Sequence, residues 1–245
     1  MAIIQGSTSE ITAGQSQLII RPPRYPATPR YGLLITHGAG SGPDANMAYG
    51  NARQRTQLVS DAGITAVSAD YGGPHTWGNG AAMQAMTDAY NWLQTQPGVK
   101  PGKVGICGGS MGGQNALVWA AANPGKAAYI STYIPVINPS QIHDQNLGGY
   151  AGVIDAAYGG TWSTPAQRAT RDPLYMAQNG AFKGLPIRIH YGLQDNLCQP
   201  QNVTAFAAAV GPNVITNGVQ GGHQESTELQ IDRRAERDWM LTYST

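Results

Sequence analysis

A serine with the potential to act as a nucleophile lies at the centre of the pentapeptide Gly108-Gly109-Ser110-Met111-Gly112. The segment 103–107 before it is short, apolar and rich in β-branched side chains, which is typical of a buried strand. The segment 114–122 after it has the composition of a helix that packs on a sheet. A G-x-S-x-G sequence between a strand and a helix forms a sharp corner that exposes the serine hydroxyl. The pattern predicts a catalytic nucleophile at Ser110; the alternative is a chance match in a chain with 32 glycines, with the serine as a helix cap.

A serine hydroxyl needs a base that removes its proton and a carboxylate that orients the base. Asp195 follows an apolar segment that ends at Tyr191, and His223 follows the last weak strand segment. The carboxyl ends of parallel strands meet at one edge of a sheet, so we expect both side chains beside Ser110. The order Ser, Asp, His along the chain also matches a known triad order. The sequence therefore predicts Ser110 as nucleophile, His223 as base and Asp195 as the orienting carboxylate.

The other histidines and acidic residues have structural interpretations. His190 lies inside a predicted buried strand and is expected in the core. His37 is expected to support the turn that follows it. Asp172 precedes a proline and is typical of a turn or a helix cap, and Asp70, which ends a strand, is expected to be structural.

An oxyanion hole is predicted at the turn Gly38-Ala39-Gly40, which follows an apolar strand. The backbone N–H of Ala39, paired with that of Met111 at the start of the helix, would supply two fixed donors where negative charge develops. Gly38 and Gly40 are alternative donors in the same turn.

Strand and helix patterns alternate along most of the chain. Strands are predicted at 17–21, 31–36, 64–69, 103–107, 127–136, 185–191 and 213–216, and helices at 53–61, 83–93, 114–122, 203–210 and 229–241. This alternation predicts an α/β fold with a mostly parallel central sheet flanked by helices. No linker or charge run divides the chain, so residues 1–245 are expected to form a single domain.

The segment 138–183 interrupts the alternation and has no clear strand pattern. An insertion above the carboxyl ends of the strands would act as a short lid over a substrate, because ligands bind at that edge. Its aromatic residues Trp162 and Tyr175, together with Trp77, are predicted to bind substrate. The alternative is that these aromatic side chains pack inward as core.

Composition and charge exclude several classes of function. The net charge of +1 and the absence of basic clusters argue against nucleic acid as a partner. No apolar segment approaches the length of a membrane span, so a soluble protein is expected. The N-terminus shows no signal peptide, which favours the cytoplasm by default, but a charged fraction of only 12% is also compatible with a secreted or virion-associated protein. The oligomeric state is not indicated.

The two cysteines, Cys107 and Cys198, do not form a disulfide framework. Free thiols are favoured over a bridge between them. Neither cysteine has the spacing of a metal ligand, so no metal site is predicted.

Taken together, the His37-Gly38 turn, the pentapeptide around Ser110, the segment 191–195 and Gly222-His223 resemble the α/β-hydrolase superfamily. The resemblance extends from about Gln17 to the end of the chain. The elbow is similar to those of carboxylesterases, polyester hydrolases and serine relatives of dienelactone hydrolases. Its serine disfavours haloalkane dehalogenases, epoxide hydrolases and true dienelactone hydrolases, which place aspartate or cysteine there.

The resemblance implies that Ser110 becomes acylated with His223 as base, and that water activated by His223 then hydrolyses the acyl-enzyme. No metal or organic cofactor is implied. The expected substrates are small-molecule or polymeric carboxylic esters of short or medium acyl chain. The alternatives are a specialised acyl hydrolase with the same triad (a cell-envelope or polymer esterase, a thioesterase or a peptidase) and a non-catalytic binding module.

Overall fold

An eight-stranded sheet forms the centre of the computed structural model, which describes residues 7–12, 15–45 and 50–245. The strands are β1 (Ser7–Thr12), β2 (Gln15–Ile20), β3 (Arg30–Thr36), β4 (Ala66–Ala69), β5 (Val99–Gly109), β6 (Ala127–Tyr133), β7 (Ile187–Gly192) and β8 (Val214–Val219). Their order across the sheet is β1-β2-β4-β3-β5-β6-β7-β8. The pairs β1–β2 and β2–β4 are antiparallel and the other pairs are parallel. The predicted mostly parallel sheet is therefore confirmed.

Helices cover both faces of the sheet. They are α1 (Gly50–Asp61), α2 (Gly80–Gln94), α3 (Met111–Ala122), α4 (Pro139–Asp144), α5 (Ala151–Ala157), α6 (Pro165–Arg171), α7 (Pro173–Gln178), α8 (Pro200–Val210), α9 (Glu225–Glu228) and α10 (Arg233–Thr242). Helices α2, α3 and α8 contribute to the larger apolar core, whereas α1 and α10 contribute to the smaller one. Burial on both faces explains why the central strands are continuously apolar; Leu33, Leu34 and Ile35 of β3, for example, have no exposed surface. Within the described ranges, no helix has the length and apolar composition needed to cross a membrane.

Several elements differ from the sequence prediction, and three of the differences are informative. Strand β6 ends at Tyr133 instead of residue 136, because Ile134 has a φ of 42° and Pro135 follows it. The predicted helix 229–241 begins only at Arg233, as α10, and the short helix α9 before it ends at Glu228. The carboxylate of Asp232 accepts hydrogen bonds from the backbone N–H groups of Arg234 and Ala235, both at 3.0 Å, and so begins a new helix. Strand β1 was not predicted.

The segment 138–183 contains the four helices α4 to α7 and a short 3-10 helix, Leu147–Gly149. It is fastened to the protein by buried apolar residues, among them Ile142, Ile154 and Trp162. Arg168 of α6 forms a bidentate ion pair with Asp144 of α4, at 2.5 and 2.7 Å. These contacts make the insertion a packed layer of short helices.

Candidate active site

The candidate nucleophile lies on a strained corner between β5 and α3. Ser110 has φ 52° and ψ −125°, a conformation that costs a residue other than glycine about 1–3 kcal/mol. The surrounding backbone holds it in place, since the Ser110 N–H donates to the carbonyl of Tyr133 at 3.2 Å and the Val136 N–H donates to the Ser110 carbonyl at 3.0 Å. The corner therefore presents the hydroxyl in one fixed direction.

Close packing around the corner explains the glycines of the motif. A β-carbon on Gly112 would lie 2.7 Å from the carbonyl oxygens of both Thr36 and His37, where no real side chain fits. The hydroxyl of Thr36 also donates to the Gly112 carbonyl at 2.7 Å. The end of β3 and the first turn of α3 are thus in direct backbone contact, which brings the predicted oxyanion turn beside Ser110.

The three predicted catalytic side chains form one hydrogen-bonded chain. His223 Nε2 lies 2.9 Å from Ser110 Oγ, and His223 Nδ1 lies 2.9 Å from Asp195 Oδ2. A carboxylate oxygen accepts hydrogen bonds, so the neutral imidazole carries its proton on Nδ1. Its unprotonated Nε2 then accepts the hydrogen bond of the serine hydroxyl, which is the arrangement a general base requires.

Asp195 is oriented by its own loop. Its side chain has no exposed surface, and its Oδ1 accepts backbone hydrogen bonds from Leu197 at 2.9 Å and Cys198 at 2.7 Å. Both carboxylate oxygens therefore have partners, which fixes Oδ2 towards the imidazole. The buried charge is compensated by three N–H groups.

The loop that carries His223 is packed on the end of β7. A β-carbon on Gly192 would lie 2.5 Å from the Gly221 carbonyl, so only glycine permits this approach. The hydroxyl of Thr227 donates to the Gly222 carbonyl at 2.7 Å, and the Gly221 N–H donates to the side chain of Gln194. These contacts fix the loop that carries the imidazole.

The predicted oxyanion donors border the same space. Ala39 lines the cleft beside Ser110, and Met111 is the first residue of α3, whose N–H has no acceptor in its own helix. The N–H of Gly40, one of the alternatives, donates instead to Pro74 at 2.8 Å. His37 supports the turn from below, with Nε2 donating to the Asp70 carbonyl at 2.8 Å. This leaves the backbone amides of residues 38, 39 and 111 as the candidate donors.

A cleft of about 320 Å³ opens at Ser110. Its described lining consists of His37, Gly38, Ala39, Ser41, Ala45, Gly109, Ser110, Tyr133, Ile134, Tyr150, His223, Gln224, Glu225 and Glu228. The walls thus combine two tyrosines with two carboxylates. Tyr150 is the part of the insertion that reaches this lining.

The three residues predicted to bind substrate do not line this cleft. Trp77 and Trp162 are almost completely buried, in an apolar cluster that joins the insertion to the corner at Met111. The backbone N–H of Trp77 donates to the Met111 sulfur at 3.3 Å. Tyr175 is exposed and lines a separate groove beside α6 and α7. Trp77 and Trp162 thus anchor the insertion, and the aromatic side chains of the described cleft lining are those of Tyr133 and Tyr150.

Sequence reasoning missed Tyr133, Tyr150, Glu225 and Glu228 as cleft residues. The two glutamates could have been predicted near the cleft, because they follow His223 by only a few positions in the chain. Tyr150 had no signal that distinguished it from the other aromatic residues of the insertion.

Cys198 lies next to the hydrogen-bonded chain and is not bonded to Cys107; both are buried free thiols. Its sulfur, a carboxylate oxygen of Asp195 and a ring nitrogen of His223 lie within 4.8 Å of one another. Burial, reinforced by the charge of Asp195, raises the pKa of the Cys198 thiol well above its usual value. Burial thus keeps the Cys198 thiol protonated and disfavours the reactive thiolate.

A buried charge cluster lies behind the cleft wall. The guanidinium carbons of Arg55 and Arg233 lie 4.6 and 5.3 Å from the ring centre of Tyr133. Arg233 also forms an ion pair with Glu236 at 2.5 Å, and Glu236 accepts a hydrogen bond from the hydroxyl of Ser131 at 2.6 Å. Cations on an aromatic ring stabilise its position, so Tyr133 is held firmly beside Ser110.

The remaining candidates have structural positions. His190 is buried, hydrogen-bonds Asn217 at 3.1 Å, and has a pKa lowered to about 4, mainly by burial. Asp172 caps α7 by accepting the Tyr175 N–H at 3.1 Å. Both therefore take the structural positions that the sequence predicted.

Comparison with known proteins identifies related sequences and structures. The family described as "Putative esterase" matches residues 9–239. No curated protein sequence matches the chain. Among solved structures, FphF of Staphylococcus aureus, a fluorophosphonate-binding serine hydrolase, is similar with a TM-score of 0.75 and 18% identity, over 96% of this chain and 97% of that one.

Two further solved structures are similar. An S-formylglutathione hydrolase from Agrobacterium tumefaciens has a TM-score of 0.73 and 14% identity, over 98% of this chain and 94% of its own. Esterase 2 of Thermogutta terrifontis has a TM-score of 0.70 and 17% identity, over 98% of this chain and 96% of its own. At such low identity these matches establish the shared fold.

Proposed function

The chain belongs to this esterase family and is a serine hydrolase of carboxylic esters, and we propose that Ser110, His223 and Asp195 form its catalytic triad. The observation that carries the proposal is the chain of two 2.9 Å hydrogen bonds from Asp195 through His223 to the hydroxyl at the strained corner. Nucleophile, base and orienting group are each within bonding reach of the next.

In the first half of the reaction, Ser110 Oγ attacks the ester carbonyl while His223 Nε2 takes its proton. The oxyanion that forms is stabilised by the N–H groups of Ala39 and Met111, with the positive end of the α3 dipole behind them. His223 then donates its proton to the alcohol oxygen, and the alcohol leaves the acyl-enzyme.

In the second half, a water molecule gives its proton to His223 and attacks the acyl carbonyl. Collapse of the intermediate releases the acid, and His223 returns its proton to Ser110 Oγ. Asp195 stabilises the imidazolium that exists in both halves and keeps the ring in one orientation. The cleft of about 320 Å³ suits esters of short or medium acyl chain.

Fluorophosphonate labelling together with a series of p-nitrophenyl esters tests this proposal. We expect labelling of the wild type at Ser110, with the highest kcat/KM for short to medium acyl chains. Ser110→Ala abolishes labelling and lowers kcat on the order of a millionfold if the triad acts as a unit. The matched control is Ser41→Ala, which removes another hydroxyl of the cleft lining and keeps labelling. Labelling of Ser110→Ala, or activity in it close to that of the wild type, would contradict the proposal.

A further inference from the structure

One wall of the cleft is acidic. Helix α9 follows His223 directly, and Glu225 and Glu228 line the same cleft as Ser110. Glu225 is exposed, and the side chain of Glu228 is 16% exposed. Two carboxylates thus face the space in which a substrate would lie.

The described cleft lining contains no lysine or arginine. The side chain of Arg233 is only 1% exposed, and it lies behind the wall with one guanidinium nitrogen 3.9 Å from Glu228. Arg55 is equally buried. The charges of both arginines offset part of the charge of Glu228 from behind the wall, but neither arginine is part of the described cleft lining.

The acidic wall lies on the side of the leaving alcohol. His223 must protonate the alcohol oxygen, so the alcohol lies within hydrogen-bond reach of its Nε2. Gln224, Glu225 and Glu228 directly follow His223 in the chain and line the same cleft, which favours a position beside the alcohol. Burial, opposed by the charges of Arg55, Arg233 and His223, raises the pKa of Glu228 to about 7. Above neutral pH the Glu228 carboxyl is therefore mostly ionised.

An aromatic ring completes this environment. Tyr150 lines the cleft from the insertion, and its ring is supported by Trp77, with ring centres 5.0 Å apart. A cation near a tyrosine ring face is stabilised by the ring quadrupole. Carboxylates together with an aromatic ring favour a positively charged group and disfavour a negatively charged one.

Resting on the proposed function, we propose that the alcohol side of the cleft selects esters by charge, with Glu225 and Glu228 as specificity-determining residues. Esters of cationic alcohols are preferred to those of neutral alcohols of the same shape. Esters whose alcohol carries a carboxylate are rejected, because like charges in a partly desolvated cleft repel.

Three thioacetates with leaving groups of similar size test the selection: those of thiocholine, of its neutral carbon isostere 3,3-dimethylbutanethiol, and of 4-mercaptobutanoate. The released thiol is measured with dithiobis(nitrobenzoate) at pH 8 and low salt. We expect kcat/KM to fall in the order cation, neutral, anion, with about tenfold or more between the extremes and a smaller ratio at high salt. In the double variant Glu225→Gln, Glu228→Gln, the cation-to-anion ratio falls to about twofold.

Asp61→Asn is the matched control, because it removes an exposed carboxylate of α1 and leaves the cleft unchanged; its ratio stays that of the wild type. If the double variant does not fold, Glu225→Gln, at an exposed position, still lowers the ratio. Turnover of the neutral thioacetate with an equal or faster rate for the anionic one would overturn the charge selection alone. Absence of both turnover and Ser110 labelling would overturn the proposed function, and this inference with it.

Discussion

At the scale of the residue, the sequence indicated a residue's position where that position depends on its neighbours in the chain. Ser110 was predictable because its corner requires glycines at fixed positions, and Asp195 and His223 because each follows a strand. Trp77 and Trp162 were not predictable as core residues. Aromatic residues are common both in cores and in cleft walls, so residue type alone does not distinguish the two. Only the three-dimensional packing shows which position a given ring takes.

Asp195→Asn tests the role of the carboxylate. An amide presents an N–H group where His223 Nδ1 needs an acceptor, which favours the wrong tautomer of the imidazole. We expect kcat for p-nitrophenyl acetate to fall by roughly a thousand- to ten-thousandfold, with an unchanged circular dichroism spectrum. Asp238→Asn, at an exposed carboxylate of α10, controls for loss of charge and should retain full activity. A fall of less than tenfold in Asp195→Asn would exclude the orienting role.

At the scale of the element, apolar runs predicted the central strands and the helices that cover them. The boundaries that failed depend on single contacts. The end of β6 is set by the positive φ of Ile134, and the break before α10 is set by the Asp232 cap. The helices of the insertion were not predicted because each is too short to show a helical period. Tertiary packing stabilises them instead.

The insertion offers a test that depends on pH. The hydrogen bond from Arg168, with a further one from His143, lowers the pKa of Asp144 from 3.8 to about 2. The folded protein binds this proton less readily than the unfolded chain, so the contact stabilises the fold above about pH 4 and is lost as the pH falls towards 2. Because Asp144 is half-exposed, Asp144→Asn should lower the free energy of unfolding by at most about 1 kcal/mol at pH 7.

Urea denaturation at pH 7, and at the lowest pH at which both proteins are folded, measures this difference. The gap between wild type and Asp144→Asn should narrow as the pH falls. Asp61→Asn is again the control, since Asp61 accepts a hydrogen bond from the uncharged Gln57. A gap that is equal at both pH values would show that the ion pair is not its cause.

At the scale of the whole molecule, the buried charge cluster joins distant parts of the chain behind the cleft. Arg233 and Glu236 come from α10, Ser131 and Tyr133 from β6, and Arg55 from α1. Burial alone would raise the pKa of Glu236, but the charges of Arg233 and Arg55 lower it to about 2. Sequence analysis gave no sign of this cluster, because charged residues so far apart in the chain show no pattern.

Glu236→Gln should be strongly destabilising. The amide can still accept a hydrogen bond from Ser131, but the carboxylate that lies 2.5 Å from Arg233 is gone. Loss of one charge from a buried pair typically costs about 3–5 kcal/mol, because the other charge remains buried. The free energy of unfolding from urea titration measures this loss, with Asp238→Asn as a surface control within about 0.5 kcal/mol of the wild type. A loss below about 1 kcal/mol in Glu236→Gln would mean that water or another group replaces the carboxylate.

The position of Tyr133 between two guanidinium groups bears on how this enzyme can be adapted. Its ring supports the cleft next to the nucleophile, so enlarging the cleft there would also deprive Arg55 and Arg233 of a contact. Tyr150 belongs to the insertion, and its ring packs on Trp77 and not on the two guanidinium groups. Directed evolution towards bulkier substrates should therefore randomise Tyr150 and its neighbours, and leave Tyr133 untouched.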